Sequence, residues 1–115
     1  MFALPLMEEA PLEIDVIEAA RLFKIPGKAV LLDIREPHEL KFCQVKGSLH
    51  IPMGQIPARL KELPRDKPIL AFCHHGGRSL WVAQYLRAND FPLASNVAGG
   101  INAWAETIEP GMKRY

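Results

Sequence analysis

The chain has little of several residue patterns that would commit it to common functional classes. It has only two cysteines, Cys43 and Cys73. They lie far apart and in no CxxC pair, which excludes a zinc ribbon and a disulfide framework. Blocks of lysine and arginine are missing, and the formal net charge is +1. Neither nucleic acid nor an anionic membrane is therefore an expected partner. No stretch approaches the roughly 20 apolar residues needed to span a bilayer. Residues 1–10 carry Glu8 and Glu9 and lack the basic start and long apolar run of a signal peptide. Repeats and low-complexity segments are also missing. These absences lead to the expectation of a cytoplasmic protein with reduced thiols.

What is present is ordinary globular composition, with 49% hydrophobic and 23% charged residues. A length of 115 residues predicts one domain, with its core over about residues 14–108. Ten prolines punctuate the chain, and short apolar runs alternate with helix-period segments between them. Asp15 is placed to N-cap a helix running to residue 24. Residues 29–34 (AVLLDI) and 69–73 (ILAFC) are continuous apolar runs, as expected of strands buried on both faces. Residues 95–98 (SNVA) are a third strand candidate, and residues 49–52 a brief fourth. Helices are expected over 36–42, 56–63, 78–88 and from 101, with Asn89 or Asp90 as a left-handed cap. Buried strands alternating with helices imply an α/β fold with parallel pairing. In such sheets ligand sites form beyond the carboxyl ends of strands.

Cys73 stands at such an end, in the segment Cys73-His74-His75-Gly76-Gly77-Arg78-Ser79. Gly76 and Gly77 permit backbone angles closed to other residues, so successive N–H groups can converge into an anion-binding nest. Arg78 and Ser79 open the next helix, whose N-terminus adds partial positive charge. A thiol there loses its proton easily. Arg78 adds a permanent charge and a fork of donors suited to an oxyanion. A lone cysteine ending a strand is more often a core thiol. The glycine pair and arginine at this spacing argue instead for a nucleophile.

At these residues the sequence resembles a single-domain rhodanese, a thiosulfate or persulfide sulfurtransferase. The resemblance covers roughly residues 14–104. The family loop C-x-x-G-x-R-S is matched by Cys73, Gly76, Arg78 and Ser79. Its D-x-R-E-x-x-E is matched by Asp33, Arg35, Glu36 and Glu39, and its G-G-x-x-x-W by Gly99, Gly100 and Trp104. The family's G-H-I-P-G-A stretch is not matched. Residues 43–48 read CQVKGS, and only the glycine survives. The usual glycine before Phe91 is Asp90. The resemblance implies a three-layer, mostly parallel sheet of about five strands flanked by helices, although the residues alone support only three convincing strands.

The resemblance also implies a mechanism. Cys73 attacks the outer sulfur of a sulfane donor and carries it as a persulfide to a thiol or cyanide acceptor, with no cofactor and no metal. His74, His75, Gly76, Gly77, Arg78 and Ser79 would surround the substrate. Arg78 either orients the donor's anionic end or braces the loop. His74 and His75 are read first as solvent-facing residues tuning specificity, and second as a positive charge near neutral pH. As metal ligands beside Cys73 they would diverge, and a fourth ligand is wanting. Asp33 and Arg35 end the neighbouring strand and are expected to brace it, with donor binding by Arg35 second. Trp81 and Trp104 are read as packing residues, Cys43 as an inert half-buried thiol, and His38 and His50 as surface or satisfied histidines. Two rivals are set beside this reading. A cysteine phosphatase or arsenate reductase would use a C-x5-R loop, one residue longer than the C-x4-R here. A binding module or sulfur relay would act on a protein partner's cysteine.

Overall fold

In the computed structural model, residues 10–115 are described. Five parallel strands form one sheet: β1 (Glu13–Ile14), β2 (Val30–Asp33), β3 (Leu49–His50), β4 (Ile69–Phe72) and β5 (Ala94–Val97), in the order β1-β5-β4-β2-β3. β2 pairs with β4 from Val30 opposite Ile69 to Asp33 opposite Phe72. Side chains alternate across a strand, and both faces here are apolar. Leu32, Ile69 and Ala71 face one core with Val82 and Leu86. Leu31, Leu70 and Phe72 face the other with Val16, Ala19, Ile101 and Trp104. Helix α2 (Gly77–Ala88) therefore covers one face. Helices α1 (Val16–Phe23) and α3 (Gly100–Thr107) cover the other. This is the expected three-layer architecture.

Asp15 caps α1, its carboxylate accepting from the Glu18 N–H at 2.8 Å. Asp90 supplies the left-handed residue after α2, with φ 69°, and the Phe91 N–H closes back on the Leu86 carbonyl at 3.0 Å. Two expected α-helices are instead 3₁₀ segments, Pro37–Lys41 and Pro57–Glu62, the second kinked at Arg59. A proline opens each of these short segments, and stretches this short do not nucleate a stable α-helix. β1 was not foreseen, because two residues carry no pattern. Among the described residues, no helix is long and apolar enough to cross a membrane.

Because every pair is parallel, the carboxyl ends of the strands share one edge. That edge gathers Asp33, His50, Cys73 and Val97.

Candidate active site

The fold builds the site around one buried sulfur. β4 ends at Phe72, and Cys73 follows with only 1% of its surface exposed. The chain then turns through His74 and His75 to Gly76, whose φ of 111° is left-handed and favours glycine. That turn aims the Gly76 N–H at Cys73 Sγ, 3.1 Å away. The Ser79 N–H approaches Sγ at 3.4 Å and the Ser79 Oγ lies at 3.3 Å. Gly77 departs from expectation. It is the first residue of α2, and only Gly76 of the pair takes a positive φ. α2 accordingly begins one residue earlier than expected.

Burial pushes the Cys73 thiol up. The contacts with Ser79 and Gly76 and the Arg78 guanidinium outweigh burial, and the net shift is downward. The pocket thus favours a thiolate in a place where water alone would not.

Two supports hold the loop from beneath. The Ser79 Oγ donates to Asn96 Oδ1 at 2.5 Å, and Asn96 Nδ2 donates to Glu13 Oε2 at 2.8 Å. Asn96 escaped the sequence reading, although a buried asparagine in a strand is itself a signal that a polar partner lies nearby. From the other side, the Ile101 and Asn102 N–H groups at the start of α3 donate to the Cys73 and His74 carbonyls at 2.8 and 3.1 Å. This contact explains Gly100. A Cβ on Gly100 (φ 58°) would lie 2.4 Å from the Cys73 carbonyl oxygen and 2.6 Å from that of His74. Gly100→Ala should therefore destabilise the domain by about 2–3 kcal/mol and slow alkylation of Cys73 by displacing its loop. A variant that melts and alkylates like wild type would show the contact to be slack.

Arg78 does not point freely into solvent. Its Nη1 and Nη2 donate to Glu39 Oε1 and Oε2 at 2.7 and 2.9 Å, a bidentate pair. Glu39 also accepts from the Glu36 N–H at 2.9 Å, and the Glu39 N–H donates to the Glu36 carbonyl at 2.9 Å, closing the turn. The Arg78 pair, against the opposing effect of burial, holds the Glu39 carboxyl down at about 2. Sequence reading matched Glu39 to a motif but assigned it no task, since its partner lies 39 positions away.

Asp33 and Arg35 form an ion pair with both side chains at 0% exposure, joined at 2.7 Å. Arg35 Nη2 also donates to the Cys43 carbonyl at 2.9 Å, and Nη1 to the Tyr115 hydroxyl at 3.0 Å. These bonds tie the end of β2 to the loop at Cys43 and to Tyr115. His50 Nε2 bonds the Arg35 carbonyl at 2.7 Å and is satisfied, while His38 is exposed. Cys43 is half-buried. Trp104 is a core residue, while Trp81 is half-exposed and stacks on Tyr85.

The two histidines separate. His75 is exposed. His74 is partly buried, its ring 3.8 Å from that of Tyr115 and nearly parallel to it. Burial is the main cause that lowers the His74 pKa, with His75 and Arg78 adding to it against the Tyr115 carbonyl and Glu39. A carbonyl can only accept, so His74 Nε2 carries the hydrogen toward the Tyr115 oxygen 2.6 Å away. The second expected role, a positive charge near neutral pH, does not suit His74.

Comparison with known proteins agrees with this geometry. The family model described as "Rhodanese-like domain" matches residues 17–107. A protein of Allochromatium vinosum named "Sulfurtransferase" is 33% identical over 93 residues, covering 81% of this chain and 87% of the relative. "Thiosulfate sulfurtransferase GlpE" of Tolumonas auensis is 30% identical over 91 residues, covering 79% of this chain and 85% of the relative. The crystal structure of a rhodanese-related protein from Thermoplasma volcanium superposes with a TM-score of 0.73 at 33% identity, covering 87% of this chain and 96% of that one. With a match over most of its length, and a buried thiol where the family's loop falls, this chain belongs to the rhodanese-like domain family and is a sulfurtransferase.

Proposed function

We propose that the protein moves a sulfane sulfur from thiosulfate or a persulfide donor to a thiol or cyanide acceptor, through a persulfide on Cys73. The Cys73 thiolate attacks the outer sulfur of thiosulfate. The S–S bond of the donor breaks, and sulfite leaves with its electron pair. The acceptor anion then attacks the terminal sulfur, and the Cys73 thiolate leaves in turn. Oxidation states balance within the two displacements, so the cysteine is the only carrier needed and no cofactor enters.

The observation that carries this reading is the pair of Gly76 and Ser79 N–H groups turned on Sγ. Donors so placed favour an anion on the cysteine, and a persulfide is such an anion. The name of the Tolumonas auensis relative supports thiosulfate as a donor. Arg78 argues against a phosphatase-type cradle, because its fork is spent on Glu39 rather than curled over the loop. Small sulfur donors and thiol acceptors are the proposed partners. Two unpaired thiols suit a reducing, cytoplasmic setting.

Steady-state transfer from thiosulfate to cyanide tests the proposal. Arg78→Ala should raise KM for thiosulfate about ten-fold. It should also cost about 1–2 kcal/mol of stability, a modest figure because the Arg78 side chain is 34% exposed. Arg78→Lys should recover little of the loss, since a point charge cannot reproduce the bidentate fork. Wild-type kinetics in the lysine variant would show that charge alone matters there.

A further inference from the structure

Beyond α3 the chain turns and runs back to the carboxyl edge of the sheet. The Ile108 and Glu109 N–H groups donate to the Trp104 carbonyl at 2.8 and 3.0 Å, and the Met112 N–H to the Glu109 carbonyl at 2.9 Å. Trp104 Nε1 donates to Glu109 Oε1 at 2.9 Å, and Arg114 pairs with Glu106 at 2.9 Å and bonds Asn102. This return path delivers Tyr115 to the site. The family match ends at residue 107, so the segment that carries Tyr115 lies outside it.

Tyr115 makes two kinds of contact there. Its ring stacks between His74, at 3.8 Å, and Phe42, at 5.0 Å, and His75 extends the column 3.9 Å beyond His74. Its hydroxyl accepts from Arg35 Nη1 at 3.0 Å and donates to Glu39 Oε2 at 2.8 Å. Burial is the first cause pushing this phenol up, to about 12, so it remains a donor throughout the neutral range. With it, the Glu39 carboxylate accepts four hydrogen bonds: from the Glu36 N–H, from two Arg78 nitrogens and from Tyr115. The phenol thus ties the braced end of β2 to the carboxylate that holds Arg78.

We propose that Tyr115 is a positioning residue for sulfur transfer, fixing the Arg78 guanidinium through Glu39 and seating the His74 ring of the Cys73 loop by stacking on it. Its kinetic readout rests on the reading given under Proposed function. Its geometric readout does not.

The experiment uses the full chain with Tyr115→Phe, which removes only the hydroxyl, and Tyr115→Ala, which also removes the ring. Tyr115→Phe should raise KM for thiosulfate about five-fold, the scale of one ordinary hydrogen bond because the hydroxyl acts through Glu39, with kcat changed less than about two-fold. His74, followed by NMR, should titrate as in wild type when the ring is kept, and higher in Tyr115→Ala, where its cover is gone. Adding Tyr115→Phe to Glu39→Gln should raise KM no further, since the two act in series. If KM in both single variants stays within about 1.5-fold of wild type, or if the Phe and Gln effects simply multiply, the proposal is overturned. Alkylation separates it from the sulfur-transfer reading. The rate with anionic iodoacetate relative to neutral iodoacetamide should fall in Tyr115→Phe even if thiosulfate proves not to be a donor. An unchanged ratio would overturn the positioning role by itself.

Discussion

Cys73→Ser is expected to lower transfer from thiosulfate to cyanide by at least about 10³-fold, while the melting temperature shifts by only a few degrees. The reason lies in what the pocket can ionise. Donors from Gly76 and Ser79 bring a thiol below its ordinary pKa, and the thiolate is the nucleophile. A serine hydroxyl in the same pocket stays protonated and has no sulfur with which to form a persulfide. The structural cost is small, because serine keeps an acceptor for the Gly76 N–H at a position otherwise unchanged. Turnover assays beside thermal melts decide the matter. A folded serine variant retaining a tenth of wild-type activity would remove Cys73 from the mechanism.

The largest loss of stability is expected from Arg35→Leu. Arg35 and Asp33 are both at 0% exposure. The arginine gives Nε and Nη2 to the Asp33 carboxylate at 2.9 and 2.7 Å, and further donors to the Cys43 carbonyl and Tyr115 hydroxyl. Leucine would leave a buried carboxylate with no opposing charge and a carbonyl with no donor. Removal of one partner from such a pair costs about 3–5 kcal/mol, a large share of the roughly 5–15 kcal/mol that holds a domain folded. The melting temperature should drop by on the order of 15 °C or more. The double variant Asp33→Leu with Arg35→Leu should recover much of the loss, because an apolar pair leaves no charge stranded. A single variant melting within about 3 °C of wild type would mean that water reaches Asp33.

Residues with local signatures were legible before any coordinates. The runs 29–34 and 69–73 are continuous and apolar because β2 and β4 sit in the middle of the sheet, covered on both faces. Asp15 announces its cap by residue type alone, while residue type left Asn89 and Asp90 both open for the left-handed position that Asp90 takes. Cys73 was legible as a candidate nucleophile because glycine, arginine and a strand end coincide within seven residues. What was not legible depends on distant pairing. β1 is two residues long and exists only because β5 lies beside it. The 3₁₀ segments differ from α-helices by hydrogen-bond spacing, which composition hardly records. Gly100 looks like an ordinary turn glycine until the Cys73 and His74 carbonyls are seen against it. Glu39 finds its task 39 residues away, and Tyr115 meets Glu39 across 76. No local pattern encodes such contacts, because they follow from the route the backbone takes around the sheet.

These distant contacts share one consequence. Glu39, Asn96, Gly100 and Tyr115 hold the Cys73 loop, the Arg78 guanidinium and the His74 ring in one arrangement. Rigid placement of donors before reaction is what makes an anion on sulfur inexpensive at this site.

The central claim, that Cys73 carries sulfur covalently, is tested most directly by intact mass after incubation with thiosulfate and removal of excess donor. Wild type should gain one sulfur atom, about 32 Da, which cyanide then removes, and Cys73→Ser should gain nothing. A wild-type mass that stays unchanged with thiosulfate and with low-molecular-weight persulfides, or an equal gain in the serine variant, would contradict it.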